Sequence, residues 1–160
     1  MTDRSIPAAT VKVPPRWFIR TAWVLHRAIH RFTGGRRGLA TPVPRGRFGY
    51  LRLASIGRRS GRERAAILGY VEDGDNLITL AMNGWGYADP AWWLNLQAHP
   101  EARVELKGST RSVRAREAVG EERERLWARV QQNTGWGHDL DAFARLRSHQ
   151  TPVVVLEPRS

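Results

Sequence analysis

Cysteine is absent from the chain. That excludes disulfides, thiolate zinc sites and a cysteine nucleophile, and it is compatible with a reducing compartment. Lysine is nearly absent too: Lys12 and Lys107 are the only lysines among 26 basic residues. No apolar run approaches the roughly 18 residues that a membrane-spanning helix needs. The first 15 residues lack the apolar stretch of a signal peptide, so none is expected. There is no GxSxG elbow and no Walker-type loop. "GRRSG" at 57–61 is too short for a phosphate loop of that kind, lacks the following Lys-Ser/Thr, and joins strand to strand. His26 and His30 have the i,i+4 spacing that two metal ligands can use, but no third ligand accompanies them. No metal site is expected. Asp139 and Asp141 read as residues of a solvated helix face, not as a catalytic acid pair.

Acidic residues are scarce in one half only. Residues 1–70 hold 15 basic and 2 acidic residues, and residues 71–160 hold 11 and 13. The excess positive charge of a chain with net charge +11 therefore belongs to its front. Such a field attracts nucleic acid, anionic lipid or an acidic small molecule without choosing among them. Arginine in particular suits bidentate contacts to phosphate and carboxylate.

Residues 1–13 read as a tail. Pro14-Pro15 precede "RWFIRTAWVLHRAIHRF", in which Phe18, Ala22, Leu25, Ile29 and Phe32 fall on one helical stripe. Arg16, Arg20, Arg27 and Arg31 fall on the opposite stripe, and Gly34-Gly35 end the helix. A basic amphipathic helix of this kind either packs on its own domain or lies on an anionic membrane. The Pro-rich stretch 36–47 reads as a linker. The expected division is thus 1–47 (tail, helix and linker) and 48–158 (folded domain).

From Phe48 onward the pattern is one of hairpins. "FGYLRLASI" alternates as a strand, and "ERAAILGYV" follows it after a short loop. "EDGDN" is a turn centred on Asp73-Gly74, and "NLITLAM" is a third strand. After the loop "NGWGYAD" comes a helix, "PAWWLNLQAH", with Asp89 as its expected N-cap and Pro90 at the first helical position. "EARVEL" and "RSVRAREAV" form another hairpin. The helices "EERERLWARVQQ" and "DLDAFARLRS" follow, and "TPVVVLEP" closes as a buried strand. No βαβ alternation occurs, so a doubly wound sheet is excluded. The fold predicted is mainly β (α+β): a small barrel of about six mostly antiparallel strands with peripheral helices and the N-terminal amphipathic helix.

One loop stands out. Residues 58–64 place Arg58, Arg59, Arg62 and Arg64 around Ser60 and Gly61, four cations that repel one another unless an anion joins them. The backbone N–H groups and hydroxyl of such a loop can receive an oxyanion, and arginines can add charge-assisted bonds. The next strand opens with small apolar residues, Ala66, Ile67 and Leu68, against which a flat ring could lie. Further on, "AMNGWG" ends a strand in a small-residue loop, and Trp92 and Trp93 follow on a helix; one of the two is expected in the core. Asn95 is expected to hold loop backbone.

Together these stretches resemble the deazaflavin-dependent nitroreductase family of actinobacteria. The resemblance rests on Gly57, Arg58, Ser60, Gly61 and Arg64, on Asp73 and Gly74, and on Pro90, Trp92, Asn95, Leu96 and Pro100. The helix and the final strand extend it over about 16–158. It implies a split β-barrel related to flavin-binding oxidases and an enzyme that takes reduced 8-hydroxy-5-deazaflavin, coenzyme F-420, with FMN as the second choice. That cofactor carries a phosphate and a polyglutamate tail. Arg58, Arg59, Ser60, Gly61 and Arg64 would hold them, and Ala66, Ile67, Leu68, Met82, Asn83, Gly84 and Trp92 would surround the ring. The chain departs from the family at Ile67, where a proline is usual, and near Asn83, where a lysine is frequent. It also lacks the tyrosines of the last helix region, where Trp136, Leu140 and Phe143 stand instead. Trp136 and Phe143 are the expected substrate contacts, and the proton would come from water or His138.

The function implied is hydride transfer to an organic acceptor such as a quinone, enone or nitro compound. The alternatives are a non-catalytic or FMN-binding split barrel, or a basic module for membrane or nucleic acid. The Arg loop lacks a recognition-helix context, so no specific nucleic-acid partner is expected. The setting implied is the cytoplasm. If the helix of residues 16–32 takes its lipid-facing role, the protein would sit peripherally on the inner face of the membrane.

Overall fold

A computed structural model describes residues 38–133, 135 and 139–159. The helix expected over 16–32, Trp136 and His138 lie outside the described residues. Six strands close into a barrel: β1 (Gly49–Ile56), β2 (Glu63–Asp73), β3 (Asn76–Leu80), β4 (Glu101–Leu106), β5 (Ser109–Glu117) and β6 (Val153–Pro158). Their order around the barrel is β1-β2-β3-β6-β5-β4. Every pairing is antiparallel, and β4 returns to β1. The ladders are uneven: β2 pairs β3 only from Val71 to Asp73, and β1 pairs β4 only from Arg52 to Ala54.

Strand alternation divides the apolar residues into two cores. Leu51, Leu53, Leu68, Leu77, Val104, Val113 and Leu156 fill the barrel interior. Val71, Ile78, Leu80, Val153 and Val155 face outward and are covered by Leu126 and Val130 of α2 (Gly120–Gln131) and Leu140 of α3 (Leu140–Arg145). This explains why "VVVL" in β6 reads as a continuous apolar run: both of its faces are buried. Helix α1 (Ala91–Ala98) closes one part of the barrel with Trp93, Leu96 and Asn95, all buried. Trp93 is the core tryptophan of the pair, at 3% exposure, and Trp92 stays partly exposed.

Three local expectations shift. The β2–β3 turn has Gly74-Asp75 at its centre, because Asp73 pairs with Asn76; Gly74 takes the left-handed φ of +60° that the turn requires. Asp73 instead accepts a bidentate pair from Arg125 of α2 at 2.9 and 3.0 Å. Pro90, not Asp89, occupies the N-cap of α1, and the cap makes no side-chain bond. The Asp89 carboxylate is drawn elsewhere, as described below. Asp139 does not lie on a helix face either: it caps α3, accepting from the Ala142 N–H at 2.9 Å. Asp141 accepts from Trp127 Nε1 at 2.7 Å and Gln131 Nε2 at 3.0 Å, so the two acids form no pair.

Residues 38–47 run against the barrel. Ala40 bridges to Tyr50. Buried Asn133, at the end of α2, donates to the Val43 and Arg47 carbonyls at 2.9 and 3.4 Å.

Candidate active site

The β1–β2 connection, Gly57–Arg62, is closed by its own backbone. Gly57 N–H donates to Arg62 O and Gly61 N–H to Gly57 O, both at 2.8 Å. Ser60 Oγ accepts from the Arg62 N–H at 3.3 Å. A Cβ on Gly57 would lie 2.8 Å from Ser60 Oγ and 3.2 Å from Arg62 O. Only glycine lets the loop close this tightly. Asn95, 5% exposed on α1, fixes the loop from below. Its Oδ1 accepts from the Arg58 N–H at 3.1 Å and from Arg58 Nη1 at 3.2 Å. Arg58 is therefore half spent on holding the loop. Arg59, Arg62 and Arg64 are exposed, and among the described residues their guanidinium groups have no carboxylate partner. The neighbouring acid, Glu63, pairs with Arg103 instead, at 3.3 Å. Arg59 and Arg62 stand on the loop itself and Arg64 at the start of β2, all three exposed. Arg62 is a cation that the family motif does not mark.

The apolar shelf is split by the strand's alternation. Ala66 and Leu68 point to the barrel interior with Leu53 and Leu51 opposite them. Ile67 lies on the other face and is 6% exposed. The three side chains therefore do not form one surface. Ala66 and Trp92, both partly exposed at the rim of the inner core, make the accessible apolar ground beside the Arg loop.

The loop after β3 lies on the outer core. Met82 and Trp85 pack against it. Asn83, Gly84 and Trp85 have φ values of 44°, 62° and 62°, three left-handed residues in succession. Trp85 stacks on Phe143 of α3, with ring centroids 5.8 Å apart and planes 19° from parallel. Leu140, the other residue standing where the family has tyrosine, is buried in the outer core. Trp85 was within reach of sequence reasoning, being aromatic in a glycine-rich loop; its pairing with Phe143 was not.

Arg147 gave no sequence signal at all. Its side chain is fully buried. Nε donates to Gly86 O at 3.0 Å, Nη1 to Ala81 O at 2.7 Å and to Thr151 Oγ1 at 3.1 Å, and Nη2 to Asp89 Oδ1 at 2.7 Å. His149 Nε2 also lies 2.9 Å from Asp89 Oδ1. Burial works to raise the Asp89 carboxyl, but the bonds from His149 and Arg147 outweigh it and hold the group below its ordinary value. The Tyr70 hydroxyl goes the other way: burial, aided by Glu72, pushes it up to about 12, so it is a poor acid at neutral pH. Among the described residues no group of His, Asp and Glu could hold a metal ion. No described helix is long and apolar enough to cross a membrane.

Residues 23–158 match the F-420H(2)-dependent quinone reductase family. An F-420H(2)-dependent quinone reductase of Mycobacterium tuberculosis is 31% identical over 150 residues, 90% of this chain and 97% of that protein. Among solved structures, one described as an F-420-H2 dependent reductase is 25% identical with a TM-score of 0.59, covering 68% of this chain and 93% of that one. Another, described as a domain-swapped dimer, superimposes with a TM-score of 0.64 at 24% identity, covering 86% and 99%, and supports the fold. The residues at the candidate site suit that cofactor's chemistry, with exposed guanidinium groups that have no acid partner among the described residues for its anionic tail and partly exposed Ala66 and Trp92 beside them for a ring. The chain is a member of the F-420H(2)-dependent quinone reductase family, a split-barrel oxidoreductase whose cofactor is coenzyme F-420.

Proposed function

We propose that this protein holds F-420 across the Arg loop and reduces a quinone. The observation that carries the reading is the loop Gly57–Arg62 with Arg64. It is preformed by Asn95 and presents three guanidinium groups that no acid among the described residues satisfies. Arg59, Arg62 and Arg64 bind the phosphate and the start of the acidic tail, and Ser60 and Gly61 line the same loop. Arg58, tied to Asn95, contributes less to the ligand than its position in the motif suggests. Ala66, Leu68 and Trp92 bound the ring from the inner core, and Met82, Asn83 and Gly84 bound it from the loop after β3. Ile67, buried on the other face of β2, does not take part in that surface. When bound, the reduced deazaflavin supplies a hydride, a two-electron equivalent, and not single electrons. The protein's task is orientation. Phe143, stacked on Trp85, offers an aromatic wall for a flat acceptor, and Trp136, outside the described residues, is the other substrate contact the sequence points to. Reduction of a quinone to a hydroquinone needs one proton besides the hydride. With Tyr70 a poor acid and Leu140 and Phe143 unable to donate, water or His138 supplies it.

A quinone with a lipid tail resides in the membrane. Residues 16–32, a basic amphipathic segment at the front of the chain, would hold the protein against an anionic membrane surface on the cytoplasmic side. In this reading residues 1–47 serve localisation and residues 48–158 serve chemistry.

A fluorescence titration with F-420 at moderate salt, with FMN as competitor, tests the cofactor reading. Saturable binding of about one F-420 per chain that FMN does not displace is expected. Absence of saturable binding, or displacement by FMN, would overturn it. Anaerobic oxidation of reduced F-420 by menadione then tests the acceptor. For the membrane segment, removal of residues 1–37 should abolish co-sedimentation with phosphatidylglycerol vesicles; continued sedimentation would exclude that role.

A further inference from the structure

The loop after β3 begins at Ala81 and ends at Asp89, and both of its ends meet the same side chain. Arg147 binds the Ala81 carbonyl at one end, the Gly86 carbonyl in the middle and the Asp89 carboxylate at the other. A guanidinium has five N–H donors in a fixed planar fork. Here the fork sets three points of one loop in one plane, and Thr151 Oγ1 takes a further donor at 3.1 Å. The opposite side of this arrangement is anchored as well. Arg123 Nη2 donates to the Thr151 carbonyl at 2.9 Å, just ahead of β6.

Between the clamped points lies the left-handed run Asn83–Gly84–Trp85. Two of these three residues carry a Cβ, and left-handed backbone at such residues costs of order 1–3 kcal/mol each. Strained backbone of this kind persists only where its surroundings over-determine it. Inside the loop, the Trp85 N–H donates to Met82 O at 2.7 Å, the Gly86 N–H to Asn83 O at 3.2 Å and Asn83 Nδ2 to Ala88 O at 3.2 Å. From outside, Trp85 stacks on Phe143 and the Ala81 N–H donates to Pro152 O at 3.0 Å, but it is the buried arginine that ties three points of the loop to one group.

We propose that Arg147, with Asp89 as its counter-ion, is a positioning residue that imposes the left-handed turn and so sets where Met82, Asn83 and Gly84 stand. That these residues face the deazaflavin rests on the functional reading above; that Arg147 shapes their loop does not. The clamp lies on the outer core, and the Arg loop is held independently through Asn95. Loss of the clamp should therefore misplace the ring without releasing the tail.

The test compares Arg147→Lys and Asp89→Asn with wild type, using Arg125→Ala as a control for loss of an ordinary ion pair. Lysine keeps the charge but not the fork; asparagine keeps the shape but not the charge. Hydrogen exchange is measured first on the protein without cofactor. Amides of residues 81–89 should exchange about tenfold faster or more in both variants, with the barrel strands unchanged. In turnover with reduced F-420 and menadione, kcat should fall about tenfold or more, since small misplacement is costly. F-420 affinity should change less than about threefold, because the tail clamp is intact. The Arg125→Ala control should alter neither. If Arg147→Lys fails to fold, Asp89→Asn carries the test. Unchanged exchange in 81–89, or affinity and kcat falling together, would overturn the proposal. Faster loop exchange in a protein whose wild type does not bind F-420 would uphold the clamp and reject the cofactor reading instead.

Discussion

Two loops flank the candidate site, and each uses arginine in the opposite way. In Gly57–Arg62 the guanidinium groups of Arg59 and Arg62, with Arg64 beyond, are exposed and have no carboxylate partner among the described residues, and the loop's shape comes from glycine and from Asn95. In the loop from Ala81 to Asp89 the arginine is buried and saturated, and the loop's shape comes from it. A cation left in water beside other cations carries unspent binding capacity. A cation taken out of water must be fully paired, because its desolvation is recovered only through good geometry. The same residue type is thus left available in one loop and consumed by the protein in the other, and burial with partners decides which.

The difference can be broken most severely at the buried end. Arg147→Ala removes the guanidinium from the Asp89 carboxylate, which keeps only His149, and from the Ala81 and Gly86 carbonyls. The Arg147 end is buried and the Asp89 end partly exposed, so the cost lies toward the lower end of the buried-pair range, about 2–3 kcal/mol, and a urea denaturation curve should show a loss of that order. A loss under about 1 kcal/mol would mean that the loop has another support. At the exposed end the effect should fall on the ligand alone. Arg64→Ala should weaken F-420 binding by about 1.5–3 kcal/mol, the range for a hydrogen bond to a charged group. Its denaturation midpoint should stay within about 0.5 kcal/mol of wild type, as for other surface changes. Rising salt should weaken the wild-type complex and narrow the gap to the variant. An unchanged affinity would remove Arg64 from the anion site. Asn95→Ala sharpens the contrast from between the two. It should cost about 1–3 kcal/mol of stability by stranding the Arg58 N–H. It should also slow or weaken F-420 binding by loosening a preformed loop. A stability loss with no change in binding would show that the loop's order is not used by the ligand.

The barrel was legible because its signals are local. Alternation in "FGYLRLASI", the glycine turns and the apolar "VVVL" each report a strand within a few residues. The Arg loop was legible for the same reason, since its charges and glycines are contiguous. What strand alternation does to Ile67 was implicit in the sequence: residues 66, 67 and 68 cannot share one face. The second loop was not legible. Arg147 meets Ala81, Gly86 and Asp89 across 58 to 66 positions of chain. Nothing near it in sequence distinguishes it from Arg145, whose side chain is exposed in the same helix region. Asp89 even carries a local signal that misleads. Ahead of Pro90 it looks like a helix cap, and a long-range cation overrides that preference. The Trp85–Phe143 stack likewise joins residues that only the closed barrel brings together.

Acid is the gentlest way to separate the two loops, because only one of them is held by a carboxylate. Asp89 has its folded pKa depressed, with burial opposing and the bonds from His149 and Arg147 prevailing. A depressed acid contributes stability that is present above its unfolded pKa and is lost as pH falls through its folded one. The window for Asp89 therefore opens below about pH 4, where an unperturbed aspartate takes up its proton. Asp73 is lowered chiefly by its bond from Arg125 and Glu122 by its bond from Arg116, so overall stability should decline over the same acid range. The local signature is distinct. Measured by hydrogen exchange corrected for the intrinsic effect of pH, protection of residues 81–89 should fall first on acidification. Residues 57–62 should keep theirs until the barrel unfolds, because Asn95 does not titrate and no carboxylate holds them. Simultaneous loss in both loops would mean that the Arg147–Asp89 pair stabilises the barrel as a whole. It would then not be a device of one loop, and the contrast between the two would reduce to exposure alone.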